Sequence, residues 1–300
     1  MAKLSFRYAQ AARVKLSSAQ EKRIQQMYLN IAKDAAKKSA LLSKDSSASA
    51  SLKRAQLKDL VRSMNLALQH SGQQLNAEIE QEMRQVSAAV GVDMKKWLSK
   101  AGMPKLKVMF ASVPDDIVKR VATGSIYKEK WTLSGAIWGD IKAKQDDINF
   151  IVAEGIAANK STYDIAKDLE KYVDPKAKKD WQWSKVYPRT GKVIDYNAQR
   201  LARTMLTHAY QQAVEQHIKY NPFVSGVVWH TAHSGRVCEL CKEREGKFYR
   251  KGEAPLDHPN GMCFLEAQTQ PLDDVADQLA DWVNGADRPD IDRYYQFLKK

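Results

Sequence analysis

Apolar residues recur at helical spacing along most of the chain. Ile24, Met27, Ile31 and Ala35 form one stripe, which predicts a helix from Ser18 with Ser17 or Ser18 as its cap and Glu21 completing a capping box. Residues 1–16 are basic and show no apolar period, so they read as irregular. SKDSSASAS, residues 43–51, reads as a loop or linker. Leu57, Leu60, Val61, Met64 and Leu68 make a second stripe, and Leu75, Ile79, Met83, Val86 and Val90 a third. His70-Ser71-Gly72 is the expected break, giving two long helices or one interrupted helix. Narrow stripes with polar flanks suit a helical hairpin.

Gly102 and Pro104 then punctuate the chain, which places a boundary near residues 101–114, with Lys105–Ala111 extended. Pro114-Asp115-Asp116 opens a helix. Residues 123–139, with three glycines and Trp131 and Trp138, read as a loop. Ile141–Asn159 reads as a helix, followed by a Ser161-capped helix, Thr162–Tyr172, that Asp174-Pro175 stops. KAKKDWQWSKVYPRTGK, residues 176–192, is a loop. It offers Lys178, Lys179, Trp181 and Trp183 to phosphates or bases, or it tucks its tryptophans into a core. Asp195–Tyr220 is the clearest helix of the second half, and Val224–Trp229 is a strand. Short helices over Leu272–Trp282 and Asp290–Lys299 close the chain. The expected fold class is mainly α with a small α+β zinc-knuckle module near the C-terminus.

The chemistry concentrates at Trp229–Glu266. All three cysteines lie there: Cys238 and Cys241 as C-x-x-C, then sixteen residues, His258, four residues and Cys263. Three thiolates and an imidazole suit the tetrahedral, borderline-soft preference of Zn2+, and the spacing is that of a structural site. Turn formers at Glu245-Gly246, Gly252 and Pro255 around a short strand at Lys247–Tyr249 would bring His258 and Cys263 back to the same ion. His230 and His233 are alternative ligands. A disulfide framework would leave one cysteine over, so the cluster fits a reducing compartment.

Charge adds a partner class. The net charge is +13, and residues 1–70 carry fourteen Lys/Arg against four Asp/Glu, while residues 267–300 carry four against seven Asp. Lys53, Arg54, Lys58 and Arg62 share one side of the second helical region, which suits phosphates without sequence readout, or an acidic protein surface. Neither a membrane-spanning run nor the apolar core of a secretory signal is expected from the sequence. No Gly-rich phosphate loop and no credible acid–base pair is present. Arg200 and Arg203 sit one turn apart and suit either an anion or the orientation of a neighbouring loop. His208 and His217 read as surface or packing residues.

Several residues in order carry a resemblance: Leu133-Ser134 before a helix, AQRLART at Ala198–Thr204, a strand ending at Trp229, C-x-x-C, Gly246-Lys247-Phe248, Ala254-Pro255 and His258-Pro259. Together they resemble the phage Mu F-like head morphogenesis (minor head, or minor capsid) family over roughly residues 114–268. The resemblance implies a virion protein of a tailed phage, made in the host cytoplasm and placed in the head interior or at the portal vertex. Its implied partners are the portal protein, other head proteins and packaged double-stranded DNA. Its implied roles are head assembly and DNA packaging or ejection. The expected organisation is a basic helical region (1–105), a head-morphogenesis domain (106–268) with the knuckle at 229–266, and a helical tail (269–300). Family members often end the knuckle H-P-x-C-x-C, whereas Gly261 stands at the first of those cysteines here. The remaining full set is Cys238, Cys241, His258 and Cys263.

The expected activity is structural, not enzymatic. Two alternatives stand beside it. Asp257-His258-Pro259 beside cysteines is similar to HNH-type nucleases, but no histidine follows His258 to hold a catalytic metal. The other is a nucleic-acid-binding zinc protein outside any virion.

Overall fold

The computed structural model describes residues 4–44, 49–100, 113–129, 131–176, 194–232 and 237–299. Among them are helices α1 (Arg7–Lys44), α2 (Ala50–Lys100), α3 (Val113–Ala122), α4 (Leu133–Ala157), α5 (Thr162–Val173), α6 (Tyr196–Ile218), α7 (Glu239–Arg244), α8 (Leu272–Val283) and α9 (Pro289–Lys299). The strands are β1 (Val224–His230), β2 (Phe248–Arg250) and β3 (Phe264–Thr269). The chain is thus mainly helical with one small antiparallel sheet, as its patterning predicts. No helix among the described residues is long and apolar enough to cross a membrane. Contacts gather the chain into two compact units, each built from separate stretches. One holds Met1–Ser17, Ile79–Lys130 and Ala202–Lys300; the other holds Ser18–Glu78 and Trp131–Leu201.

In the all-helical unit, α1 and α2 run antiparallel. Arg23 pairs with Glu78 at 3.5 Å and Lys38 with Asp59 at 3.0 Å. These exposed ion pairs contribute little stability, but they mark the register of the expected hairpin. The hairpin buries Ile24, Tyr28, Ile31 and Ala35 from α1 and Leu57, Leu60, Met64 and Leu68 from α2. The break expected at Gly72 is absent, because α2 is continuous over 51 residues. Gly72 is there for space: a Cβ would lie 3.1 Å from Ile141 Cγ1 and 3.3 Å from Ile137 Cγ2 of α4. Ser161 caps α5, its hydroxyl accepting from Asp164 N at 3.1 Å. Lys144 is buried but paired with Asp140, and its ammonium lies 5.4 Å from the Tyr28 ring centre.

Two boundaries differ from expectation. Helix α1 begins at Arg7, not Ser18, and Ser17 is a buried mid-helix residue and not a cap. The buried face of this first part is Ala9, Arg13, Ser17 and Gln20, at helical spacing but mostly polar, so an apolar period could not reveal it. The loop expected over 123–139 ends by Thr132, whose hydroxyl accepts from Gly135 N at 3.0 Å and caps α4; Gly135, Trp138 and Gly139 are helical. The extended stretch at Lys105–Ala111 lies outside the described residues, as does nearly all of the basic loop at 176–192.

The other unit holds the sheet, ordered β2-β1-β3, with β1 antiparallel to both neighbours; Val227 pairs with Tyr249 on one side and Ala267 on the other. Gly226 lies beside a register shift, where a Cβ would come 2.2 Å from Tyr249 O. Strand β3 was not anticipated, although Leu265 and Ala267 alternate as a half-buried strand should. Trp229, fully buried, lies edge-on to Tyr249 with ring centres 6.4 Å apart. The tail helices α8 and α9 bury Val275, Leu279, Ile291 and Tyr294 in this same unit.

Candidate metal centre

Cys238 sits at the N-cap of α7 and Cys241 in its first turn, so the C-x-x-C is the start of a helix. His258 belongs to the loop after β2, and Cys263 immediately precedes β3. The fold brings all four together. The ligand atoms of Cys238, Cys241 and His258 lie within 4.8 Å of one another, and so do those of Cys241, Asp257 and Cys263. Cys238 Sγ is 3.3 Å from His258 Nε2, and the Cys241 thiol is within hydrogen-bonding reach of both other cysteines. Donors around one tetrahedral ion at thiolate and imidazole bond lengths sit about 3.5–3.8 Å apart, so the cluster is compact enough to hold a metal.

The histidine is oriented for that role. His258 Nδ1 lies 3.0 Å from Pro259 O. A carbonyl only accepts, so Nδ1 carries the proton and the Nε2 lone pair faces Cys238. A second contact that fixes tautomer and ring orientation is the usual support of a metal-binding histidine. Backbone donation from Cys241 holds the exposed Cys238 thiol below its ordinary range. Burial pushes the Cys241 and Cys263 thiols up. Two buried thiols beside a third are costly to ionise together unless a cation joins them, and a bound metal ion would supply that charge.

The loop that carries His258 and Cys263 is held by residues whose role the sequence did not reveal. Asp257, its side chain fully buried, accepts from His258 N at 2.9 Å and Cys263 N at 3.0 Å. A Cβ on Gly261 would fall 2.1 Å from Asp257 Oδ2, so the carboxylate fills the space a side chain at 261 would need. Helix α6 presents a polar face to this loop. Thr204 Oγ1 accepts from Asn260 N at 2.9 Å, Thr207 donates to Gly261 O at 3.0 Å, and Gln211 Oε1 accepts from Asp257 N at 2.9 Å. Arg203 donates to the Asn260 side chain, as a loop-orienting group does, while Arg200 is exposed. His208 is buried, the packing alternative of its sequence reading. Its Nε2 donates to Asp257 O at 2.9 Å, so its Nδ1 accepts from Tyr127 OH at 2.7 Å. Burial lowers its pKa. From α1, the buried Arg13 donates to Cys263 O at 3.0 Å and Met262 O at 2.9 Å and stacks 4.9 Å from the Tyr210 ring.

One of the alternative ligands, His230, is placed elsewhere. His230 lies between Glu245 (3.0 Å) and Glu266 (3.2 Å), stacked on Phe264, and His233 lies outside the described residues. Of the basic candidates, Arg54, Lys58 and Arg62 are exposed on α2 and line one open groove of the all-helical unit, about 950 Å³ in volume. Lys53 is half-buried and not on that lining, and Lys178 and Lys179 lie outside the described residues. Compared with known protein families, curated proteins and solved structures, the chain matches none.

Proposed function

We propose that this chain is a structural minor head protein of a tailed phage, in which Cys238, Cys241, His258 and Cys263 hold a structural Zn2+. One observation carries the reading. The residues behind the Mu F-like resemblance are joined physically: the AQRLART helix holds the His258-Pro259 loop through Arg203 and Thr204, against the C-x-x-C. Three sulfur donors and one nitrogen favour zinc over the hard cations, which prefer oxygen. The metal's contribution is folding energy, on the order of 10 kcal/mol for a structural site. His258 directs Nε2 at Cys238, which leaves no free nitrogen for the general-base role of a nuclease. The amino-terminal helices, where most of the positive charge lies, supply the contact with packaged DNA or with an acidic face of the portal.

The gene's neighbours and the particle itself test this. Portal and terminase genes alongside, and the protein's peptides in mass spectra of purified particles, are the expected result. A neighbourhood of host genes and absence from particles would overturn it in favour of a host zinc protein.

A further inference from the structure

We propose that the groove between α2 and the α4–α5 corner is a docking site for an acidic amphipathic helix of another protein. This rests on the reading above only in treating the basic face of α2 as a partner contact; it names the class of partner. Arg54, Lys58 and Arg62 lie at i, i+4 and i+8, so their charges repeat about every 6 Å along one edge. Lys160 adds a cation on the opposite side, bound to Asp168 at 2.7 Å, and among the described residues no carboxylate lines the groove.

Six aliphatic side chains, Val61 and Val152 among them, line the groove beside uncharged polar ones. Ile156 is 62% exposed and Leu66 56%, although both belong to well-formed helices. An aliphatic groove edged with cations at helical spacing matches a helix bearing leucine-like residues on one stripe and Asp or Glu beside it. Duplex DNA satisfies the cations but leaves the aliphatic floor wet, and protein–DNA interfaces are more polar than this one. No strand edge is exposed among the groove's lining residues, so strand addition is unavailable. In this chain's own acidic helices, α8 and α9, the apolar residues Val275, Leu279, Ile291 and Tyr294 are buried while Val283 is exposed, so a second copy offers no intact apolar stripe as the ligand.

The test uses the full-length protein and fluorescence anisotropy with three probes. These are a labelled amphipathic Leu/Glu helical peptide of about five turns, its scrambled-order isomer, and a labelled duplex of about 22 base pairs, roughly the length of the 51-residue α2. Binding of the amphipathic peptide at least about tenfold tighter than its isomer is expected, with about a tenfold loss in Leu66→Asp/Ile156→Asp and in Lys58→Glu/Arg62→Glu. Both aliphatic side chains are already exposed, so the first variant retains the fold, checked by an unchanged circular dichroism melt. Equal binding of the two peptides, or binding insensitive to Leu66→Asp/Ile156→Asp, overturns the proposal. Duplex binding without peptide binding overturns it while sparing the polyanion contact, and failure of all three probes removes both. Self-association abolished by Ile156→Asp would identify a second copy as the occupant and overturn it as well.

Discussion

Gly261→Ala is the sharpest perturbation of the knuckle loop. Gly261 is not in the left-handed region of backbone conformation, so an alanine meets no backbone strain there. The obstacle is the Asp257 carboxylate, whose Cγ and Oδ2 would lie 2.2 Å and 2.1 Å from the new Cβ. The carboxylate must turn away and give up the amides of His258 and Cys263, held at 2.9 Å and 3.0 Å. Hydrogen bonds to a charged acceptor contribute about 1.5–3 kcal/mol each, so roughly 3–5 kcal/mol of local stability should be lost. In an Asp257→Ser background the space is already open, and the same alanine should cost under about 1 kcal/mol, leaving a coupling of about 2–4 kcal/mol. Hydrogen exchange over residues 257–268, read by mass spectrometry, measures both costs locally. A cost below about 1 kcal/mol in the wild type, or the same cost in both backgrounds, would refute the steric reasoning.

Arg13→Met should destabilise the same loop by about 2–4 kcal/mol, because it leaves the buried Cys263 carbonyl and the part-buried Met262 carbonyl without their donor. Faster exchange at 262–265 with unchanged helix content is the expected signature. Gly155→Ala, with its Cβ 2.6 Å from Ile165 Cγ1, should cost about 1–3 kcal/mol by overpacking α4 against α5, read in urea denaturation. The fully buried His217 is held neutral in the folded state, its pKa pushed down to about 3 by burial and then by Lys95. The unfolded chain therefore binds the extra proton below about pH 6.5, and stability falls by up to about 1.4 kcal/mol per unit as pH drops from there. Denaturation at pH 6.5 and 5 should show this slope, and His217→Phe should flatten it.

Much of the fold was legible because apolar stripes and caps act locally. The helices at 141–157, 162–173 and 196–218, and the strand that leads into the C-x-x-C segment, follow from such signals. What escaped the sequence is polar and non-local. The first turns of α1 bury Arg13, Ser17 and Gln20, a face that looks solvent-exposed until its partners are known. Gly72 reads as a helix breaker until the isoleucines of α4 arrive to use its missing side chain. That Cys238, Cys241, His258 and Cys263 could share one site was legible from residue type and spacing. Its support was not, since Thr207, His208 and Gln211 are ordinary residues given a task by a loop some fifty positions away. One signal was present: on helix α6, Thr204, Thr207, His208 and Gln211 recur at i, i+3, i+4 and i+7, a polar stripe at the spacing of a buried face.

The metal centre is the centre of the account, and metal content with coordination tests it most directly. Protein purified without chelator should carry about one zinc per chain by native mass spectrometry, and X-ray absorption should fit three sulfur and one nitrogen donors. In His258→Ala the nitrogen donor should disappear and the affinity fall. Protein that retains no metal, or that binds zinc with the same donor set after His258→Ala, would contradict the assignment.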